Sequence, residues 1–295
     1  MGTPLREVSF RILNVFTCGG RRLSGNALCV VEDGSGLSDD EMQAVARQMN
    51  LSETTFVLTP TAPPAQASPA NARVRIFTPT IEMPFAGHPT LGTAHVVRSL
   101  FGCGDAVRLE MKAGIVEVTA DADAWTLRTA RGPETRKPEA TRAEFAAMLR
   151  LPEAALADPI LWVDTGSEQL LVPLTSAEHV HAARPDAALL ATRAFSARSR
   201  EPLAYVWAST GDGEVAARFF FMAHGALLED PATGSACANL GGWKIATGAP
   251  LPVRLRVRQG EHVGRPSELD LDVDTQRRIF VRGEVVEIGR GTLRI

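Results

Sequence analysis

Two short motifs in this sequence place small and polar residues where helices are predicted to begin. Gly87-His88-Pro89 opens one predicted helix, and Gly234-Ser235 opens another. A helix N-terminus carries unpaired backbone N–H groups and the positive end of the helix dipole, so it attracts anions. Two such ends facing one cleft could hold a carboxylate. The alternative is that the glycines only allow close packing, and neither motif decides between these interpretations by itself.

Polar side chains beside these motifs could transfer protons or bind a substrate. His88 could reach over a cleft as a proton donor or hydrogen-bond partner, or it could simply cap its helix. Asp230 and Ser235 flank the second turn, but Asp and Ser are also common helix caps. Cys237 lies in the first turn, where the helix dipole can lower a thiol pKa. A small buried residue is the simpler interpretation of Cys237.

Glu53 is the candidate for a general base. It follows a predicted helix and stands at the head of a strand rich in β-forming residues. In an apolar cleft the pKa of a carboxyl group rises, which suits proton removal from carbon near neutral pH. A salt bridge at the strand end is the alternative. Glu82 and Glu229 lie beside the motifs, and we expect surface or supporting roles for both, while His95 is assigned to structure.

The elements that position these residues repeat in the two halves of the chain. A capping box at Ser38 and Glu41 predicts a helix over 39–49, and alternating apolar residues predict several short strands in each half. Each half also has one Gly-rich helix, which predicts an α+β pseudo-repeat. The polar stretch 131–137 indicates a boundary between domains at 1–130 and 131–295. The last strand, about 284–295, is expected to pack back onto the first domain, and 59–71 is a predicted surface loop.

Composition excludes several classes of protein. The 295 residues include 31 basic and 34 acidic side chains and a net charge of −3, so no basic excess favours nucleic acid. Four separated cysteines without a CxxC motif predict reduced thiols rather than a zinc site or a disulfide framework. Charges near the start argue against a signal peptide, and no apolar stretch is long enough to span a membrane. We therefore expect a soluble cytoplasmic protein without bound metal, and apolar alternation in the last strands favours a homodimer.

Four segments together carry a family resemblance. They are NLSETTFV at 50–57, RIFTPTIEMPFAGHPTLGTAHVV at 75–97, EDPATGSACANLGG at 229–242 and QGEHVGRPS at 259–267. In this order along the chain they resemble the PhzF-like phenazine biosynthesis protein family. The resemblance implies the diaminopimelate epimerase-like fold. In that fold, two pseudo-symmetric α+β domains each wrap a curved, mostly antiparallel sheet around a central helix, and the active site lies between them.

The resemblance also implies an activity and a set of site residues. The expected enzyme is a cofactor-free isomerase that moves a proton between carbons of a small carboxylate-bearing substrate. Glu53 would act as both acid and base, with His88 and Asp230 completing the catalytic set. The residues that match substrate-binding positions are Ser52, Gly87, Gly234 and Ser235.

Departures from the relatives leave two alternatives open. Related racemases use a cysteine at the start of each central helix, but the stretch Phe85-Ala86-Gly87-His88 has no thiol. A racemase or epimerase would have to use Glu53 and Cys237 instead. A carboxylate-binding protein without turnover is the other alternative. The run 220–225 lacks the proline that the family often has there, so the substrate stays open.

Overall fold

The computed structural model describes residues 6–61, 70–223 and 225–295. Most of the loop predicted at 59–71 therefore lies outside the described residues. The chain divides into two compact units, of which the first comprises Met1–Leu127 with Gly283–Ile295 and the second Arg128–Arg282. The end of the chain thus belongs to the first unit.

The first unit is built from short strands that follow the apolar alternation of the sequence. In its fourth strand, for example, Ala72, Val74 and Ile76 are buried while the intervening arginines are only partly buried. The strands of this unit are β1 (Glu7–Val15), β2 (Asn26–Val31), β3 (Glu53–Leu58), β4 (Ala72–Phe77), β5 (Glu82–Met83), β6 (Ala106–Met111), β7 (Gly114–Asp121) and β8 (Ala124–Arg128).

Antiparallel and parallel pairings alternate through this unit. β1 runs antiparallel to β2, β2 parallel to β3, β3 antiparallel to β4, β4 parallel to β6, and β6 antiparallel to β7. The last strand of the chain, β18 (Ile279–Arg294), pairs with β1 and β8. It is one continuous strand that begins before the last strand expected at about 284–295. Gly283 lets it pass Phe16, because a Cβ there would collide with the Phe16 ring.

Two helices complete the first unit. α1 (Asp39–Met49) begins with the predicted capping box at Ser38 and Glu41 and packs against β3 and β4. α2 (Gly87–Phe101) contacts β1, β2, β3 and β6, and most of its first eleven residues are buried. A helix surrounded in this way needs small residues, and this is what its Gly- and Thr-rich first half supplies.

The second unit contains the remaining elements. Its strands are β9 (Glu134–Arg136), β10 (Leu161–Asp164), β11 (Glu168–Pro173), β12 (Phe195–Ser196), β13 (Glu201–Gly211), β14 (Glu214–Ala223), β15 (Ala226–Asp230), β16 (Val253–Gln259), β17 (Ser267–Val273) and the start of β18. Its helices are α3 (Arg142–Leu149), α4 (Ala177–Ala182), α5 (Ala187–Arg193) and α6 (Gly234–Ala246).

The second unit repeats the order of pairings found in the first. β10 is antiparallel to β11, β11 parallel to β13, β13 antiparallel to β14, β14 parallel to β16, and β16 antiparallel to β17. α6 occupies the place in this order that α2 has in the first unit, and it contacts β10, β11, β16 and β17. The fold class is therefore α+β with mixed, mainly antiparallel pairing.

Two further differences from the sequence prediction have local causes. The polar stretch 131–137, where the domain boundary was expected, contains a strand, because its exposed Glu134–Arg136 (β9) pairs with buried β10. α4 and α5 were not predicted, since six- and seven-residue helices are too short to show an apolar period.

Across residues 6–61, 70–223 and 225–295, no helix has both the length and the apolar composition needed to cross a bilayer.

Candidate functional site

Glu53 and His88 form the central contact of the first unit. Glu53 begins β3, and His88 is the second residue of α2. Oε2 of Glu53 lies 3.2 Å from Nε2 of His88. Both atoms are buried, and His88 as a whole is 6% exposed. The structure therefore brings together two of the three residues that the sequence nominated for catalysis.

His88 is neutral in this contact. Burial lowers the pKa of His88 to about 3, while a hydrogen bond to the backbone of Ala27 acts in the opposite direction. A bond that favours the protonated ring must be donated by the ring, so the acceptor is the Ala27 carbonyl. Among the described residues Nε2 of His88 makes no hydrogen bond, so the N–H that meets Ala27 is on Nδ1 and Nε2 carries the lone pair. The neutral ring therefore offers Glu53 an acceptor, and a protonated Glu53 can donate to it.

The surroundings of this pair hold β3 against α2. Oγ1 of Thr55 and Oγ1 of Thr93 share a buried hydrogen bond of 2.8 Å. Ser52 is exposed just before β3, and its hydroxyl donates to Oδ1 of Asn26 at 3.0 Å. Gly87 starts α2 after Ala86, a helix cap without a side-chain hydrogen bond. Ser52 and Glu53 thus lie at the start of β3, and Gly87 and His88 lie at the start of α2, where the first-turn N–H groups lack a side-chain cap.

Asp230 is held by a second set of hydrogen bonds in the other unit. The Thr233 hydroxyl donates to Oδ2 of Asp230 at 2.5 Å. Nε2 of Gln259 donates to the Asp230 carbonyl at 2.8 Å and to Oγ1 of Thr233 at 2.9 Å. Because Thr233 accepts from Gln259, its own proton is directed to the carboxylate, which keeps Asp230 an acceptor. Sequence reasoning missed Gln259 as a site residue, although it stands in the segment QGEHVGRPS.

Gly260 fixes the turn that follows Asp230. Its φ is +82°, and a Cβ there would overlap the carbonyl oxygen of Arg265 and lie 2.5 Å from that of Pro231. Only glycine allows both the left-handed backbone and this close approach. The Asp230-Pro231 turn therefore packs directly on the end of β16.

Ser235 lies one residue into α6, beside the uncapped Gly234. The helix cap, Thr233, makes no side-chain hydrogen bond to the helix. Nε2 of Gln169 donates to Oγ of Ser235 at 2.8 Å. The structure thus gathers Asp230, Gly234 and Ser235 at the start of α6, with first-turn N–H groups open to an anion.

Cys237 is poorly suited to proton transfer. Its side chain is fully buried, and burial raises the pKa of the thiol well above its usual value. A reactive thiol needs a lowered pKa and access, and Cys237 has neither. This geometry favours the structural interpretation of Cys237 over the role of a second base.

The other candidates have structural partners. Glu82 pairs with Arg75 and Lys112, and hydrogen bonds from Arg75 lower the pKa of Glu82 to about 2. Of the two roles expected for Glu229, surface or supporting, the structure gives the supporting one, because Glu229 pairs with buried Arg218 through contacts of 3.1 and 2.7 Å. His95 packs edge-on against Trp125. Among the described residues, no group of three or more His, Cys, Asp or Glu side chains is placed to hold a metal ion.

Comparisons with known proteins cover almost the whole chain. The model of the phenazine biosynthesis-like protein family matches residues 13–291. An uncharacterized isomerase from Pasteurella multocida is 35% identical over 289 residues, which cover 98% of this chain and 95% of the relative. A trans-2,3-dihydro-3-hydroxyanthranilate isomerase from Pseudomonas chlororaphis is 32% identical, with coverage of 92% and 94%.

Solved structures agree in fold. A PhzF family protein from Bacillus anthracis superposes with a TM-score of 0.82 at 22% identity, covering 98% of this chain and 100% of that one. A hydroxyproline epimerase from Agrobacterium vitis gives a TM-score of 0.61 at 12% identity, with coverage of 98% and 93%. The epimerase-like fold is therefore shared beyond recognisable sequence similarity.

Fold and sequence together define an isomerase with an epimerase-like fold. The chain belongs to the phenazine biosynthesis-like protein family, also named PhzC-PhzF. The family resemblance that the four sequence segments predicted is confirmed.

Proposed function

We propose that this isomerase moves a proton between carbons of a small carboxylate-bearing substrate without a cofactor, and that Glu53 is its single acid and base. The observation that carries the proposal is the buried contact of 3.2 Å between Glu53 Oε2 and His88 Nε2. A neutral imidazole in that place accepts a hydrogen bond from Glu53 when the carboxyl group holds a proton. Glu53 can therefore carry a proton and remain in position, as a shuttle requires.

The chemistry needs no oxidant and no second reactant. Glu53 removes a proton from one carbon, the C–H electron pair delocalises into the substrate, and the carboxyl group then protonates another carbon. The proton count and the oxidation state of the substrate are unchanged. During the interval the Glu53 O–H donates to Nε2 of His88, whose Nδ1–H stays on the Ala27 carbonyl. His88 thus acts as a fixed acceptor and does not itself become charged.

The proposal assigns substrate binding to the residues that the family resemblance implies. Gly87 and Gly234 begin helices whose caps make no side-chain hydrogen bond, so their first-turn N–H groups suit a carboxylate. Ser52 and Ser235 supply hydroxyl groups. Asp230 is the third catalytic residue, and its carboxylate is kept an acceptor by Thr233, which suits a substrate N–H or O–H group.

The test is proton exchange in heavy water with Glu53→Gln. The panel contains small cyclic amino and hydroxy acids and includes trans-2,3-dihydro-3-hydroxyanthranilate, named for the Pseudomonas chlororaphis relative. We expect the wild-type protein to isomerise one member and to introduce deuterium at carbon. Glu53→Gln should lower that rate by about 10² to 10⁴, the usual contribution of a general base.

Glu82→Gln is the matched control, because it removes the same charge from the same unit at a carboxylate tied to Arg75. It should retain the wild-type rate within about threefold, since no acid–base role is lost. Exchange in Glu53→Gln that survives within about tenfold of wild type would overturn the assignment of the base. Tight binding without any exchange in the wild-type protein would instead identify a non-catalytic carboxylate-binding protein.

A further inference from the structure

A buried chain of hydrogen bonds leads to the start of α6 in the second unit. It passes through Thr165, Asn239, Gln169 and Ser235, and we call these four residues the amide relay. Thr165, Asn239 and Gln169 are 6%, 0% and 3% exposed, whereas Ser235 is only partly buried. Sequence reasoning placed Ser235 in the site but did not single out the other three.

Backbone groups at the buried end of the amide relay determine which atoms donate and which accept. The Thr165 backbone N–H donates to Oδ1 of Asn239 at 2.9 Å, and the Thr165 hydroxyl lies 2.7 Å from the same atom. A backbone N–H can only donate, so the atom that faces it must be the Asn239 oxygen. Nδ2 of Asn239 then donates to the Ser167 carbonyl at 2.8 Å, which can only accept. Both ends of the Asn239 amide are thus determined by backbone groups.

The orientation of Asn239 determines that of Gln169. Nδ2 of Asn239 also donates to Oε1 of Gln169 at 2.9 Å. The remaining end of the Gln169 amide is therefore its nitrogen, and Nε2 donates to Oγ of Ser235 at 2.8 Å. A rotated Gln169 amide would place two N–H groups against each other, at the cost of a buried unsatisfied donor.

The last step concerns the proton of Ser235. A hydroxyl has one proton to donate, and Gln169 occupies an acceptor position on this oxygen. The Ser235 proton therefore cannot point at Gln169. In the described part of the chain, this hydroxyl donates to no protein acceptor, and it stands beside the uncapped first turn of α6. Its proton is available to a ligand at that place.

We infer that Gln169, held by Asn239, is a positioning residue that keeps the Ser235 hydroxyl a hydrogen-bond donor toward the substrate. The inference rests on the proposed function for the position of Ser235 beside the substrate. The inference also predicts that the site prefers a carboxylate to a carboxamide. A carboxylate oxygen can accept from Ser235 and from the α6 N–H groups. A carboxamide N–H₂ group in the same place would face donors only.

Neutron diffraction on the unliganded wild-type protein, exchanged into heavy water, tests the direction of the relay. We expect deuterium on the Gln169 amide nitrogen facing Ser235 Oγ, and the Ser235 deuterium pointing away from Gln169. A Ser235 deuterium directed at Gln169 would overturn the inference. This measurement needs neither a ligand nor a variant.

Gln169→Glu tests the consequence for binding. Its carboxylate can still accept from Asn239, but its other oxygen accepts from Ser235 and turns the hydroxyl inward. We expect Kd for anthranilate, the aromatic parent of the relative's substrate, to rise about tenfold to a hundredfold at about pH 8, as for a lost hydrogen bond to a charged group. The ratio of variant to wild-type Kd should fall toward one at about pH 5, because the introduced carboxyl group can donate to Ser235 once it is protonated.

Matched controls separate orientation from charge and from packing. Gln276→Glu adds the same charge at an exposed position of the same unit and should leave Kd unchanged. Ser235→Ala should weaken binding equally at both pH values, because it has no group to titrate. The wild-type preference for anthranilate over 2-aminobenzamide should shrink in Ser235→Ala and in Gln169→Glu at high pH.

Two binding results would overturn the inference. One is a Gln169→Glu protein whose Kd changes by less than about twofold at about pH 8, well below the effect of a lost charged hydrogen bond. The other is a wild-type protein that does not bind anthranilate up to about 10 mM, which is weaker than a specific carboxylate site. Neither result bears on Glu53, whereas full exchange activity in Glu53→Gln would overturn the proposed function and leave the neutron result standing.

Discussion

Glu53 Oε2 and His88 Nε2 lie 3.2 Å apart with both atoms buried, and the imidazole is neutral because burial lowers the pKa of His88. An imidazolium would form an ion pair and hold Glu53 as a carboxylate. A neutral ring instead leaves its Nε2 lone pair beside the carboxyl group, where it can accept a hydrogen bond from Glu53 once that group holds a proton. The buried hydrogen bond between Thr55 and Thr93 joins β3 to α2. It therefore helps to hold Glu53 and His88 at this distance.

A buried neutral histidine makes stability depend on pH. The folded pKa of His88 is about 3, below the ordinary value of 6.5. Between these values the unfolded chain binds a proton that the folded chain does not. The free energy of unfolding should therefore fall as pH falls, with a contribution from His88 of roughly 2 kcal/mol between about pH 7 and pH 5. Urea unfolding at the two pH values measures it.

His88→Gln is the control for that slope. Glutamine has nothing to titrate in this range, so the variant should lose less stability than wild type over the same pH interval. The variant is expected to be less stable than wild type at about pH 7. The test is the change in the free energy of unfolding between about pH 7 and pH 5, compared between the two proteins. Equal slopes in the two proteins would show that His88 is not the group responsible.

Cys237→Ala separates the proton shuttle from an epimerase that uses a thiol. Because the thiol is buried and its pKa is raised, we expect the variant to keep its exchange rate within about threefold. The native wild-type protein should also leave Cys237 unmodified by iodoacetamide, as peptide mass mapping would show. Loss of exchange in a folded Cys237→Ala protein would favour the epimerase with Glu53 and Cys237.

Glu82→Gln should affect stability and spare activity. Arg75 lowers the pKa of Glu82 to about 2, so the stabilisation is present above the ordinary value of 4.5 and is lost as pH falls toward 2. We expect a loss of about 1 kcal/mol near neutral pH, because the Lys112 partner is largely in solvent. Above pH 4.5 the difference from wild type should be constant, and it should shrink in acid. A difference that does not change with pH in the acid range would contradict this account.

Local signals could be predicted from the sequence, and contacts distant along the chain could not. The capping box at Ser38 depends on Glu41, three residues away, and it is present. The pairing of Glu53 with His88 depends on the packing of α2 over β3, so only the family resemblance indicated it. Gln169 had one weak signal, a polar residue within an apolar strand, and its direction toward Ser235 is set by Asn239 on a different element.

The last prediction concerns the turn after Asp230 and uses two glycines of one segment. Gly260 and Gly264 both have positive φ, +82° and +68°, so alanine is strained at either position. At Gly260 its Cβ would also collide with two backbone carbonyl oxygens, whereas at Gly264 nothing lies within 4 Å. We expect Gly264→Ala to cost about 1 kcal/mol and Gly260→Ala roughly 3 kcal/mol or more, measured by urea unfolding. Because the Pro231 carbonyl would have to move, Gly260→Ala should also slow exchange, and Gly264→Ala should not. Equal losses of stability in the two variants would mean that the turn does not pack on β16 as described.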